Sequence, residues 1–260
     1  MPINIVKIGG NVIDNEVKLE KFLVSFAQLK GNKVLVHGGG KIATQMAKNL
    51  GIETQMVQGR RITDAQMRDV VIMVYGGLVN KRIVASLQSM DCNAIGLSGA
   101  DACVITAKKR EVKEIDYGFV GDIDKVNDQF ISSLLSQNIF PVFAPLTYDR
   151  KHGILNTNAD TQASAIAEAL AKSKGVNLIY CFEKKGVLTD INNEDSVIPI
   201  LKRKLYEKYK LDGVIYEGMI PKIDNAFRAL QNGVKKVIIC EADDLQNAVV
   251  YGLSGTQIIL

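Results

Sequence analysis

A chain of 260 residues, 47% hydrophobic and 23% charged, has enough material for one large domain or two modest lobes around a substantial core. The formal net charge of +4 is small and the charges are mixed, which argues against nucleic acid as a partner. The four cysteines form no C-x-x-C pair, Met1 to Gly10 has no leader-like pattern, and no apolar run suggests a membrane span. A cytoplasmic protein in a reducing compartment, without a zinc site, is therefore expected.

Ile3 to Ile8 reads as a strand running into Gly9-Gly10, with Lys7 its only charge. Val17 to Leu29 carries Leu19, Phe22, Leu23 and Phe26 at helical spacing. Val34 to Val36 is a second strand and ends in His37-Gly38-Gly39-Gly40. A helix follows from Lys41 to Leu50, with Ile42, Ala43, Met46 and Leu50 on one face. This alternation predicts an α/β fold with a mainly parallel sheet. Ile52 to Thr63 suits a hairpin turning at Gly59. A long helix from Asp64 to about Met90 is predicted next, with Thr63 and Gln66 at capping-box spacing and a wide apolar face. Ala94 to Gly99 is a strand, and the charged stretch Lys108 to Val126 an exposed antiparallel hairpin. Phe130, Ile131, Leu134 and Leu135 mark a helix, and Ile139 to Pro145 a strand. A turn-rich segment, Leu146 to Leu155, leads to Asn156-Thr157-Asn158-Ala159-Asp160 and a helix over Thr161 to Ala171. After about Lys174 come a strand at Val176 to Phe182, a basic helix at Leu201 to Lys210, a helix starting at Pro221, and strands at Val237 to Cys240 and Gln257 to Leu260. The predicted division is 1–174 and 175–260, with one sheet shared between them.

Glycines between a strand and a helix let an anion approach the backbone, and they also make tight turns. Gly9-Gly10 and Gly38-Gly39-Gly40 both have this placement. Gly38-x-Gly40-x-x-Ala43 also fits a dinucleotide fingerprint, but the next candidate strand ends in Arg60-Arg61 instead of an acid. Lys7 in an apolar strand should meet an anion, because an unpaired buried ammonium is costly. Asn158 or Asp160 suits a helix cap, and Lys222 beside Pro221 opposes the helix dipole unless an anion binds there. Lys7 and Lys222 bracketing a phosphoryl group, with Asp160 holding both ammonium groups, would describe phosphoryl transfer. A carboxylate acceptor needs no base, since its pKa near ~4 leaves it ionised at neutral pH.

Five motifs then resemble, in order and spacing, the amino acid kinase superfamily, most nearly its N-acetylglutamate kinases. They are Lys7-Ile8-Gly9-Gly10, His37 to Gly40, Gly59-Arg60-Arg61-Ile62-Thr63, Asn156 to Asp160, and Gly218-Met219-Ile220-Pro221-Lys222. The resemblance implies a three-layer αβα sandwich around a central mainly parallel sheet. It implies an acyl-amino-acid-binding and dimerising N-terminal lobe and a nucleotide-binding C-terminal lobe. ATP would phosphorylate the side-chain carboxylate of N-acetylglutamate in arginine biosynthesis, with Mg2+ carried by the ATP phosphates rather than by protein ligands. Lys7, Lys222 and Asp160 would be catalytic. Gly39, Gly40, Arg61 and Asn156 would bind the acylglutamate, and Gly9, Gly10, Asn158, Glu183 and Gly186 the nucleotide. The helix from Asp64 would make a homodimer. The chain departs from the pattern at Phe182-Glu183-Lys184-Lys185-Gly186, where a small polar residue and Asp are usual, and it has an extra acid at Glu217. The first strand starts at about Ile3, without the N-terminal helix of arginine-inhibited relatives, so insensitivity to arginine is expected. N-succinylglutamate is the rival substrate, because Arg60 adjoins Arg61. A non-catalytic nucleotide or amino-acid sensor with this fold, and an NADP oxidoreductase, are the alternatives of other classes.

Overall fold

The predicted alternation of strands and helices builds one central sheet covered on both faces. The computed structural model describes residues 1–57, 59–215 and 219–260. Gln58 in the hairpin, Gly218 of the fifth motif and the extra acid Glu217 lie outside the described residues. In chain order, β1 (Ile3–Ile8), α1 (Gly10–Ile13), α2 (Glu16–Gln28), β2 (Lys33–His37) and α3 (Gly40–Asn49) form the first units. The hairpin β3 (Met56–Val57) and β4 (Arg60–Arg61) precedes α4 (Ala65–Val71), which continues through a π-helical stretch, Ile72–Val79, into α5 (Asn80–Gln88). Then come β5 (Ala94–Leu97), β6 (Ile105–Lys109), β7 (Gly121–Val126), α6 (Asp128–Ser136), β8 (Phe140–Phe143), β9 (Leu146–Asp149), β10 (Gly153–Asn156) and α7 (Ala159–Ala171). The chain ends with β11 (Val176–Phe182), β12 (Ile200–Lys202), α8 (Arg203–Leu211), α9 (Met219–Gln231), β13 (Lys236–Glu241) and β14 (Thr256–Ile259).

The main sheet runs β12-β14-β13-β11-β1-β2-β8-β5. It is parallel throughout except where β13 meets β14. Strand residues alternate between faces, so Ile3 and Ile5 enter one hydrophobic core while Val6 and Ile8 enter the other. The first core is covered by α6, α7, α8 and α9, and the second by α2, α3, α4 and α5. This is the three-layer αβα arrangement. β11, which follows residue 174, pairs directly with β1, so one sheet crosses the expected lobe boundary.

Several local expectations fail for identifiable reasons. Leu146 to Leu155 is an antiparallel pair, β9 and β10, in a second sheet of order β10-β9-β6-β7. Its strands are only four residues long, and the Asp149 to Gly153 turn between them dominates the composition. Leu201 belongs to β12, so the basic helix starts at Arg203. Thr63 and Gln66 form no capping box. Asp64 is the cap, its side chain accepting from the Met67 N–H at 2.8 Å, and Thr63 is buried. Leu50 leaves the apolar face of α3 and is 53% exposed. The helix Ala65–Gln88 is, against the sequence reading, long and apolar enough to cross a membrane by length and composition. Its Val70, Val71, Val74, Tyr75 and Val79 are buried in the second core instead.

Candidate active site

Three charged side chains from distant parts of the chain meet beyond the carboxyl ends of β1 and β11. Lys7 lies one residue from the end of β1 and is 8% exposed, facing α7. Its Nζ is 2.7 Å from Asp160 Oδ1. Asp160 stands in the first turn of α7. The cap of that helix is Asn158, whose side chain accepts from the Thr161 N–H at 3.0 Å. Cap and ion pair are therefore both present, on different residues. Burial by itself pushes the Asp160 carboxyl up, but the fields of Lys7 and then Lys222 outweigh it and hold the carboxyl below its ordinary range. Asp160 Oδ1 touches Lys7 without receiving a well-directed hydrogen bond, which leaves it accepting capacity for a second ammonium. Lys222 enters in the first turn of α9, with Nζ 5.7 Å from the centre of the Phe182 ring. Two ammonium groups sharing one carboxylate leave a formal charge of about +1 for an incoming anion.

On one side of this trio is a cleft of about 230 Å³ lined by Gly39, Gly40, Arg61, Tyr75, Arg110 and Asn156, among others. Arg61, 8% exposed, donates from Nη2 to the Gly40 carbonyl and to Thr44 Oγ1, both at 2.8 Å. The guanidinium is thus fixed before any ligand arrives. Asn156 donates to Thr63 Oγ1 at 3.0 Å, which gives the buried threonine its role. Gly39 has φ of 144°, and a Cβ there would stand 3.1 Å from the Tyr75 ring, so only glycine fits. The Tyr75 hydroxyl is pushed up by burial, against the opposing influence of Arg61. Asn158 lines the same cleft.

On the other side is a largely apolar cleft of about 320 Å³, lined by Phe182, Glu183, Gly186, Leu188, Ile215, Met219 and Lys222, among others. Glu183 Oε1 accepts from Asn11 Nδ2 at 2.6 Å. Gly186 has a packing reason as well, since a Cβ there would meet Thr256 Oγ1 at 2.7 Å. Gly9 donates its N–H to the Cys181 carbonyl at 2.8 Å, whereas a Cβ on Gly10 would face open space.

His37 is fully buried, and burial lowers its pKa to about 4 despite the bond to the Gly38 carbonyl. It is neutral at pH 7. Its Nδ1–H donates to Gly38 O at 2.7 Å, and Nε2 accepts from Asn80 Nδ2 at 3.1 Å. It props the glycine turn. The sequence reading missed Tyr75 and Arg110. Tyr75 is indistinguishable from its apolar neighbours on a core face, and Arg110 is hidden in the run Lys108-Lys109-Arg110. Among the described residues no three His, Cys, Asp or Glu converge, so they offer a divalent ion no cage of their own. The dinucleotide fingerprint also loses its context, because β3 pairs with β4 and lies outside the main sheet.

Fold and site together define a small-molecule kinase. The chain belongs to the Amino acid kinase family, which matches residues 2–241. It is 59% identical to an acetylglutamate kinase of Cytophaga hutchinsonii over 242 residues, 93% of this chain and 92% of the relative. It is 53% identical to an acetylglutamate kinase of Phocaeicola vulgatus over 98% of both chains. Among solved structures, smu.665 from Streptococcus mutans aligns at a TM-score of 0.78 and 28% identity, covering 98% of each chain.

Proposed function

We propose that this kinase transfers the γ-phosphoryl group of ATP to the side-chain carboxylate of N-acetyl-L-glutamate, giving an acyl phosphate for arginine biosynthesis. The observation that carries the reading is the Lys7–Asp160 pair, with the Lys222 charge acting on the same carboxylate, between a cationic cleft and an apolar one. Lys7 and Lys222 neutralise charge on the phosphoryl group in flight, and Asp160 orients both. Gly39, Gly40, Arg61 and Asn156 hold the acylglutamate. Gly9, Gly10, Glu183 and Gly186 hold the nucleotide, with Asn158 near its phosphates from the wall of the acylglutamate cleft. Mg2+ is needed to neutralise the ATP phosphates and arrives with them, and no protein cage is required. No general base is needed, which agrees with a His37 that is fully buried and has both ring nitrogens engaged. Residues 1–174 form the acylglutamate lobe and 175–260 the nucleotide lobe. The protein works in the cytoplasm as a homodimer through the helix Ala65–Gln88, where Met73 is 53% exposed. Retention of all three charged residues speaks against a non-catalytic sensor. The test is ADP release with N-acetylglutamate, with hydroxylamine trapping the acyl phosphate. Turnover of aspartate, free glutamate or UMP in its place overturns the assignment.

One observation favours N-succinylglutamate as a second reading. Arg60 is exposed, as strand alternation requires, yet it lines the acylglutamate cleft together with Arg110, whose Nη1 is buried without a hydrogen-bond partner. Arg110 already pairs with Asp122 through Nε and Nη2, so a second carboxylate would engage the remaining Nη1 and the exposed Arg60. Comparing kcat/KM for the two acylglutamates decides between them. A tenfold preference for the succinyl form, about 1.4 kcal/mol, displaces the acetyl assignment.

A further inference from the structure

Catalysis by charge neutralisation needs the charges held at fixed spacing, and here they arrive on three separate elements. Lys7 comes from β1, Asp160 from the first turn of α7 and Lys222 from the first turn of α9. Tyr180 touches two of these three assemblies. It is the register partner of Lys7 across the β1–β11 pair, so both side chains leave the sheet on the same face. It is 1% exposed, and its hydroxyl donates to the main-chain carbonyl of Asp160 at 3.3 Å. The same phenol faces Ser164, one turn along α7, and burial together with the Asp160 charge pushes its pKa far up, so it stays a donor. Ser164 Oγ donates to Glu168 Oε1 at 2.8 Å. Glu168 in turn accepts from Arg228 Nε at 3.2 Å and from Asn232 Nδ2 at 2.7 Å. Arg228 lies on α9, the helix that carries Lys222. Polar contacts therefore run from the Asp160 turn along α7 and across to α9.

We propose that Tyr180 is a positioning residue for phosphoryl transfer, holding the α7 turn that carries Asp160 against the strand beside Lys7. The bond of 3.3 Å is long for O–H···O, and the phenol is held as well by its burial beside Ser164. A phenol that only satisfies itself in the core would affect stability and leave the kinetics alone. The inference rests on the kinase reading above, and wild-type turnover separates the two: absent ADP release sinks that reading, whereas an active wild type lets this one be judged.

The experiment is Tyr180→Phe in the full chain, which keeps the ring and removes the hydroxyl. The expected result is a fall in kcat of about fivefold to tenfold, with KM for ATP and for the acylglutamate within about twofold of wild type. Thermal midpoints are measured in parallel. An unchanged kcat, with or without lost stability, overturns the proposal, and so does a loss carried wholly by KM. Should Tyr180→Phe fail to fold, Ser164→Ala trims the same hydroxyl cluster from the helix side and is read by the same split between kcat and KM.

Discussion

The two clefts flanking the Lys7, Asp160 and Lys222 trio are built on opposite principles. In the cleft proposed for the acylglutamate, Arg61 and Thr63 are buried and the polar groups are already cross-linked, with Arg61 bonded to Gly40 and Thr44, and Asn156 to Thr63. In the cleft proposed for the nucleotide the walls are mostly apolar, from Phe182 to Met219, with Glu183, Lys184 and Lys222 as the charged lining, and beside it Lys184 pairs with Glu194 and Lys185 with Asp195. A small, doubly charged acceptor offers little apolar area, so its binding must come from directed, desolvated contacts whose ordering cost is met during folding. A purine base offers area, and apolar walls suffice to hold it. Substitutions should therefore have sharp consequences at the trio and in the first cleft, and shallow ones beside the second.

The largest effects belong to the trio. Lys222→Ala should lower kcat by about 10²–10³-fold while KM changes little, because its contact is strongest in the transition state. Asp160→Ala should lower kcat and also destabilise the fold by about 3–5 kcal/mol, since it strands a buried Lys7 ammonium. Steady-state kinetics with urea unfolding of each variant checks both. A Lys222→Ala enzyme that loses only KM would assign that lysine to ground-state binding.

Arg61→Lys comes next. It keeps the charge and breaks the planar fork that spans Gly40 and Thr44. The expected change is a rise of about 30-fold in KM for the acylglutamate, roughly 2 kcal/mol, with kcat within about threefold and KM for ATP unmoved. An equal rise in both KM values would show that Arg61 supports the whole site rather than one cleft.

The pH dependence of stability sharpens the comparison from beneath the first cleft. His37 has a pKa of about 4 when folded, against an ordinary value of 6.5. The folded state thus resists protonation, and the contribution of neutral His37 is fully present above pH 6.5 and is lost as pH falls toward 4. Between pH 7 and pH 5 the loss should be about 2 kcal/mol. Urea midpoints at the two pH values measure it, and His37→Gln should flatten the difference. Asp160, held below its ordinary range, does not titrate in this interval. An undiminished pH effect in His37→Gln would assign the sensitivity elsewhere.

What the sequence disclosed follows how local each signal is. β1, β11 and the turns after β1 and β2 were legible because apolar runs and glycine clusters are contiguous. Lys7 stood out as the one charge in such a run, and burial of that charge demanded the partner that Asp160 supplies. The pair β9 and β10 was not legible, because each strand is only four residues long and the turn between them outweighs both. Arg110 was hidden for a different reason. The hairpin that carries it was legible, but its approach to the first cleft was not, because Val120 meets Asn156 only in the folded chain. Thr63 was misassigned because a helix cap and a buried strut for Asn156 ask for the same residue type.

The smallest effect should come from an ion pair beside the proposed nucleotide cleft. Lys185 and Asp195 are 2.8 Å apart, with side chains 46% and 88% exposed. Their mutual hydrogen bond raises the lysine pKa and lowers that of the aspartate, so each is fully charged near pH 7. Water and salt nevertheless screen such a pair, and holding two long side chains together costs entropy. Lys185→Ala should therefore change KM for ATP by less than about twofold and leave kcat unchanged, with any residual difference vanishing as salt is raised to ~1 M. The mild outcome is expected even though Lys185 lies beside Gly186 of the cleft, because its ammonium is already engaged by Asp195 and faces solvent. A tenfold rise in KM for ATP at low salt would mean that Lys185 leaves Asp195 for the phosphates. The second cleft would then hold its ligand by charge, as the first one does, and the contrast between the two would not survive.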